Sequence, residues 1–258
     1  MRINFFTALL LQAAALIAPS SQHIFSIPGT RSISRYPVRK IAGVSVVDTP
    51  IVRAAQEFAR SHSSDHTYKH VMRSWLFGAI IISRNETLKK SMDLEVHAVS
   101  VLLHDLGWDR TPNSSLVSPD KRFEVDGAIA SRKFLKSHKD GRKWDERRVQ
   151  LVWDAIALHT ERGINQYKEH EVAVSSAGIS LDFEGPLFGV QPAEYDAIVR
   201  EFPKDGFKTA LNETFIWLCG GKPFSTYNTW MQPWGDRYVP GYNSSANSRI
   251  ETIFRNLP

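Results

Sequence analysis

Between residues 50 and 218 the apolar side chains recur every three or four positions, the spacing of an amphipathic helix. After Pro50, for example, Ile51, Ala54, Ala55 and Phe58 fall at helical intervals. Segments of this kind predict helices at residues 51–61, 68–83, 93–106, 123–137, 145–159, 172–183, 196–202 and 209–218. No strand alternation or internal repeat stands out, so the predicted fold class is mainly α.

The chain has 258 residues, which suits one large domain. We expect a leader at residues 1–21, an irregular arm at 22–45, a single helical domain at 46–222 and an irregular C-terminal extension at 223–258. The extension is rich in Gly, Pro, Asn and Trp, and we expect it to pack on the domain.

The first residues resemble a secretory signal peptide. Met1-Arg2 precedes an apolar run at residues 5–18, and small or polar residues follow it. Four Asn-x-Ser/Thr sequons agree with a glycosylating route: Asn85, Asn113, Asn212 and Asn243. We therefore predict a secreted protein, or one resident in the secretory pathway, with an uncleaved anchor as the alternative.

The charge and the cysteine content are less informative. The net charge is +5 and the sequence contains no run of five basic residues, so the pattern does not indicate nucleic-acid binding. Cys219 is the only cysteine, which rules out an intramolecular disulfide, and we expect it to be a small buried residue.

Four residues, at three places in the sequence, are of types that bind metals. His104 and Asp105 end the apolar run at residues 99–103, which would place an imidazole and a carboxylate at the edge of a packed core. A capped polar helix end is the alternative for this pair, and a core histidine is the alternative for His70. Asp182 lies among apolar neighbours, where a buried carboxylate needs a cation or several hydrogen-bond donors.

The order of these residues resembles the HD metal-dependent hydrolases, and most closely their fungal cyanamide-hydratase-like branch. The matching stretches are TYKHVMR (67–73), LLHDLG (102–107), RFEVDGA (122–128), AIALH (155–159), LDFEG (181–185) and FPKDGF (202–207). The likeness runs in the same order from about residue 51 to residue 222. It implies that the helical domain is of the HD type.

The resemblance also implies one divalent metal, bound by His70, His104, Asp105 and Asp182. Zinc is the first choice for this donor set, and iron(II) or another transition metal is the alternative. Asp105 is expected to orient the attacking water as well, and His159 to act as a proton donor or hydrogen-bond partner. The expected substrate pocket contains Arg73, Trp108, Glu124 and His159.

The expected function is a metal-dependent hydrolase or hydro-lyase that adds water to a small organic molecule, of the nitrile, cyanamide or amide class. The alternatives are an HD-type phosphohydrolase, for which Arg73, Lys121 and Arg122 are the basic candidates, a secondary-metabolism enzyme that performs a lyase or rearrangement step, and a non-catalytic binding protein. Residues 224–230 (FSTYNTW) lack the histidine that cyanamide hydratases carry there, so we expect a changed substrate.

The expected partner is a small-molecule substrate. We predict no nucleic-acid partner and no stable membrane insertion once the leader is cleaved. A homo-oligomer is left open, because no sequence pattern decides it.

Overall fold

The computed structural model describes residues 36–255 and 257–258. The predicted leader at residues 1–21 and the first part of the predicted arm, residues 22–35, lie outside the described residues. The described part forms one compact unit. Within it, none of the helices is both long enough and apolar enough to span a bilayer.

The first described element is a β-hairpin. Strand β1 (Val38–Ile41) pairs antiparallel with β2 (Val44–Val47), and Val38 lies opposite Val47. The linking residues Ala42 and Gly43 both have positive φ, 48° and 81°, as tight two-residue hairpin turns require. This hairpin corrects the prediction of an irregular arm over residues 22–45. Two four-residue strands contain too few alternations to stand out in the sequence.

Eleven α-helices follow within the described residues. They are α1 (Pro50–Ser61), α2 (Asp65–Arg84), α3 (Glu86–Ser91), α4 (Leu94–Leu103), α5 (Phe123–Ser137), α6 (Glu146–Ala157), α7 (His170–Glu184), α8 (Pro192–Glu201), α9 (Phe207–Gly221), α10 (Gln232–Tyr238) and α11 (Arg249–Arg255). The eight predicted helices are present, with ends displaced by no more than four residues. The mainly α fold class is confirmed.

The C-terminal extension is more regular than predicted. It contains a 3-10 turn at Pro223–Ser225 as well as α10 and α11, which are only seven residues each. Its aromatic side chains pack with α9 in a second apolar cluster that includes Phe215, Met231 and the fully buried Cys219. Cys219 is therefore the small buried residue that was predicted.

The close contact between α2 and α7 brings together two residues that are distant in sequence. Gly178 on α7 lies so close to α2 that a Cβ atom there would be 2.7 Å from the carbonyl oxygen of Ser74 and 2.9 Å from the amide nitrogen of Gly78. Only residues without a side chain allow this approach. It places His70 on α2 and Asp182 on α7 side by side.

His97 on α4 makes the stability of the fold depend on pH. Burial lowers its pKa from 6.5 to about 4. Between these two values the unfolded chain binds more protons than the folded chain, so the stability that a neutral His97 contributes is present above about pH 6.5 and is lost as the pH falls through the folded pKa.

We therefore expect acid to affect the wild type more than the variant His97→Gln. The difference in their free energies of unfolding should move by about 3 kcal/mol in favour of the variant between pH 7 and pH 4, at about 1.4 kcal/mol per pKa unit. Urea unfolding at several pH values measures this. A difference that stays constant across the range would contradict it.

Candidate metal centre

Two histidines near helix ends each have the ring nitrogen Nδ1 hydrogen-bonded to a backbone carbonyl oxygen. His104 directly follows α4, and its Nδ1 lies 2.8 Å from the carbonyl oxygen of Val101. His159 lies two residues beyond α6, and its Nδ1 is 2.7 Å from the carbonyl oxygen of Ile156. A carbonyl oxygen only accepts hydrogen bonds, so each Nδ1 is the donor. In the neutral ring, each Nε2 therefore carries a lone pair.

A third imidazole, His70, is oriented by a carboxylate. Its Nδ1 lies 2.6 Å from Oδ2 of Asp182, to which it donates. Burial lowers the pKa of His70, although the nearby carboxylates of Asp182 and Asp105 act in the opposite direction. His70 is thus a neutral ring whose Nε2 also presents a lone pair.

The Nε2 lone pairs of His70 and His104 lie close to each other and to a carboxylate oxygen of Asp105. Nε2 of His70 and Nε2 of His104 are 3.2 Å apart. Oδ2 of Asp105 lies 3.1 Å from Nε2 of His104 and 3.6 Å from Nε2 of His70. All three side chains are buried. The structure therefore brings together three of the four predicted metal ligands.

These three residues fit a divalent cation. Neither carboxylate oxygen of Asp105 has a hydrogen-bond partner among the described residues, and both oxygens are shielded from solvent. A buried carboxylate without donors is costly, and two imidazole lone pairs that face each other repel. Two nitrogens and one carboxylate oxygen are ligands that zinc and iron(II) accept. A bound cation would satisfy all of these atoms at once.

The charge state of Asp105 agrees with this reading. Burial by itself would raise the pKa of its carboxyl group, but the neighbouring imidazoles, His104 foremost, lower the pKa below its usual range. Asp105 therefore stays ionised in a buried position. An ionised carboxylate is the form that binds a metal.

Asp182, the fourth predicted ligand, lies on the Nδ1 side of the His70 ring and not within this group. The guanidinium of Arg73 donates to both carboxylate oxygens of Asp182, at 2.7 Å each, and to the carbonyl oxygen of Phe202. Burial would raise the pKa of Asp182, but hydrogen bonds from His70 and Arg73 keep it below its usual range. Arg73 is fully buried and committed to these partners, which corrects its predicted place in the substrate pocket.

His159 borders the group without joining it. Its Nε2 lies 4.0 Å from Oδ1 of Asp105, and its ring meets that of His104 edge-on at 4.8 Å. Burial lowers the pKa of His159 to about 4. At neutral pH the ring is uncharged and its Nδ1 proton is held by the backbone. Its Nε2 therefore offers a lone pair that accepts a hydrogen bond, which is one of the two roles expected for His159.

Glu124 is fully buried at the start of α5 and accepts several hydrogen bonds. Its Oε1 receives them from Arg122 at 2.7 Å, Thr160 at 2.6 Å and Trp230 at 3.2 Å. Burial would raise the pKa of Glu124, but the hydrogen bond and charge of Arg122 lower it. Trp230 and Thr160 were not predicted from the sequence, since only the folded chain brings Trp230 of the C-terminal extension and Thr160, just beyond α6, to Glu124.

Aromatic rings surround the histidines. Trp108 lies nearly parallel to His70 at 6.3 Å and tilted against Phe123 at 5.4 Å, and Phe123 in turn contacts His159. The ring of Phe207 is also stacked on His70, with 5.3 Å between the ring centroids. The indole Nε1 of Trp108 is buried and has no partner among the described residues. The predicted pocket residue Trp108 thus lies beside the metal-ligand group, which consists of His70, His104 and Asp105.

Glycine at position 107 allows the site to close. It lies in the 3-10 turn Leu106–Trp108 directly after the ligand pair. A Cβ atom on Gly107 would lie 2.1 Å from the carbonyl oxygen of Phe123. The start of α5 can therefore approach His104 and Asp105 only because residue 107 has no side chain.

Comparison with known families agrees with this geometry. The family model described as HD domain matches residues 67–201, a span that contains His70, His104, Asp105, His159 and Asp182. No curated protein matches the chain. HD domain proteins are generally metal-dependent hydrolases, which fits the observed ligand group. Because the match covers more than half of the sequence, the chain belongs to the HD domain family.

Proposed function

We propose that this protein is a metal-dependent hydrolase or hydratase that adds water to a small uncharged molecule of the nitrile, cyanamide or amide class. The observation that carries the proposal is the carboxylate of Asp105. Both its oxygens are buried and have no hydrogen-bond donor in the part of the chain that the structure describes, and they lie beside the lone pairs of His70 and His104. Such a group is built for a cation, and in this family the cation serves hydrolysis.

The charges around the group favour an uncharged substrate over a phosphate ester. The three basic side chains considered for phosphate binding each have an acidic partner. Arg73 is bonded to Asp182, Lys121 to Asp120 and Arg122 to Glu124. A phosphate ester would need free cationic groups to offset its charge. Aromatic side chains around the histidines, and basic side chains already paired with acids, instead suit a small polar molecule without charge.

The roles of the chain's own residues follow from their geometry. His70 and His104 through Nε2, and Asp105 through carboxylate oxygen, would hold a divalent metal. When bound, the metal supplies Lewis-acid activation of water or of the substrate. Nε2 of His159, 4.0 Å from Asp105 Oδ1, offers a lone pair that accepts a hydrogen bond from the attacking water and orients it. Trp108 and Phe123 pack against each other beside the histidines, Trp108 next to His70 and Phe123 next to His159.

A substrate screen tests the proposal. The purified protein is loaded with zinc or iron(II) and offered cyanamide, small nitriles, small amides and phosphate monoesters, with the variant His104→Ala as the control. We expect turnover of a member of the uncharged group, lost on chelation and in the variant. Metal-dependent turnover of phosphate esters alone would overturn the substrate class, and a wild type that binds no metal would overturn the metal centre.

A further inference from the structure

The carboxylate of Asp182 has no free electron pair to offer a metal. Oδ2 accepts from His70 Nδ1 at 2.6 Å and from an Arg73 guanidinium nitrogen at 2.7 Å. Oδ1 accepts from Arg73 Nε at 2.7 Å and lies 2.8 Å from Nζ of Lys204. A carboxylate has about four acceptor sites, so these contacts use all of them.

The two nitrogens of an imidazole ring point in different directions. Asp182 bonds the nitrogen of His70 that points away from the other candidate metal ligands. The metal-ligand group lies at Nε2 of His70, whereas Asp182 lies at Nδ1. We propose that Asp182 is a positioning residue, which holds His70 with Nε2 free and aimed at the metal, and that it is not itself a ligand. This inference rests on the proposed metal centre. A histidine ligand that donates its other N–H to a carboxylate is a stable arrangement.

The surrounding contacts keep Asp182 in this position. Arg73 also donates to the carbonyl oxygens of Phe202 and Pro203, at 3.0 and 3.3 Å. Lys204 also bonds the backbone oxygen of Asp182 at 2.5 Å and the hydroxyl of Tyr195 at 2.7 Å. To reach the metal, Asp182 would have to leave a fully buried guanidinium without its partner, which is strongly unfavourable. The segment between α8 and α9 thus anchors a metal ligand on α2 through Asp182.

Nuclear magnetic resonance of the wild-type protein tests this inference directly. With histidine labelled by nitrogen-15, the metal-free protein should show a strongly deshielded Nδ1 proton on His70, because that proton is shared with a carboxylate. On titration with zinc, the Nε2 signals of His70 and His104 should shift while this proton persists. Loss of the proton on zinc binding would show that Asp182 turns onto the metal, and would overturn the inference while leaving the metal centre intact.

Variants supply a second measurement. Asp182→Asn should remove the deshielded proton and weaken zinc binding by about 10–100-fold, measured by competition with a chelator. The cobalt(II)-loaded variant should keep the shape of the wild-type visible absorption spectrum, since its ligands are unchanged. A spectrum of altered coordination would overturn the inference. Asp109→Asn is the matched control, because Asp109 likewise pairs with a histidine, His62, at 3.0 Å, and it should leave zinc affinity unchanged.

Discussion

The variant His104→Ala is expected to lose its metal. His104 provides one of only two imidazole nitrogens in the described ligand group, 3.1 Å from Asp105 and 3.2 Å from His70. Loss of an outer contact to a metal ligand already costs about 10–100-fold in affinity, so loss of the ligand itself should cost roughly 100-fold or more. Metal analysis of the purified proteins should find about one equivalent in the wild type and almost none in the variant.

The same variant should lose the stabilisation that the metal provides. A ligand that binds only the folded state raises the free energy of unfolding, by about 2.7 kcal/mol at a concentration 100 times its dissociation constant. We expect zinc to raise the midpoint of thermal unfolding of the wild type and not that of His104→Ala. His62→Ala is the control, since His62 pairs with Asp109 outside the group. Equal zinc stabilisation of wild type and His104→Ala would refute the assignment.

Asp105→Asn separates a metal ligand from a structural carboxylate. In the metal-free protein neither carboxylate oxygen of Asp105 has a hydrogen-bond partner among the described residues, so its conversion to an amide breaks no hydrogen bond and should change the free energy of unfolding by less than about 1 kcal/mol. The new amide group can donate to the imidazole lone pairs beside it. Urea unfolding of chelator-treated proteins measures this. A loss greater than about 1 kcal/mol, the worth of an ordinary hydrogen bond, would mean that Asp105 has a partner of its own in the fold.

Arg73→Met should be the most destabilising of these substitutions. Arg73 is fully buried, and its guanidinium makes both charged contacts to Asp182. Breaking a buried pair from one side leaves an uncompensated charge and costs about 3–5 kcal/mol. Lys204 stays near Asp182 and offsets part of this cost. Urea unfolding of the metal-free protein should show a lower midpoint with an unchanged slope.

Arg84→Met is the matched control on the same helix. Arg84 also pairs with an acid, Glu194, at 2.7 Å, but its side chain is 47% exposed. Exposed ion pairs contribute about 0–1 kcal/mol because water screens them. The two variants should therefore differ by several kcal/mol. Similar losses for both would show that the pair between Arg73 and Asp182 is not a structural element of the core.

The helices could be predicted because their signal is local. In α5, for instance, the predicted and observed bounds coincide at residues 123 and 137, since the apolar spacing of one segment is enough to define its buried face. The hairpin of β1 and β2, the six-residue helix α3 and the helices of the C-terminal extension were not predicted. These elements are too short for a period to show, and they depend on packing against the rest of the chain.

Within the site, the sequence alone identified the residues that form the candidate metal-binding group. His70 and the adjacent pair His104-Asp105 were identified from residue type, order and resemblance, and the structure brings them together. The direction in which each side chain points depends on neighbours distant in sequence, and only the tertiary structure decided it. Asp182 is 112 residues from His70, and its carboxylate bonds the ring nitrogen that faces away from the ligand group. Local patterns contain no information on such a contact, because it arises where Gly78 and Gly178 let α2 and α7 touch.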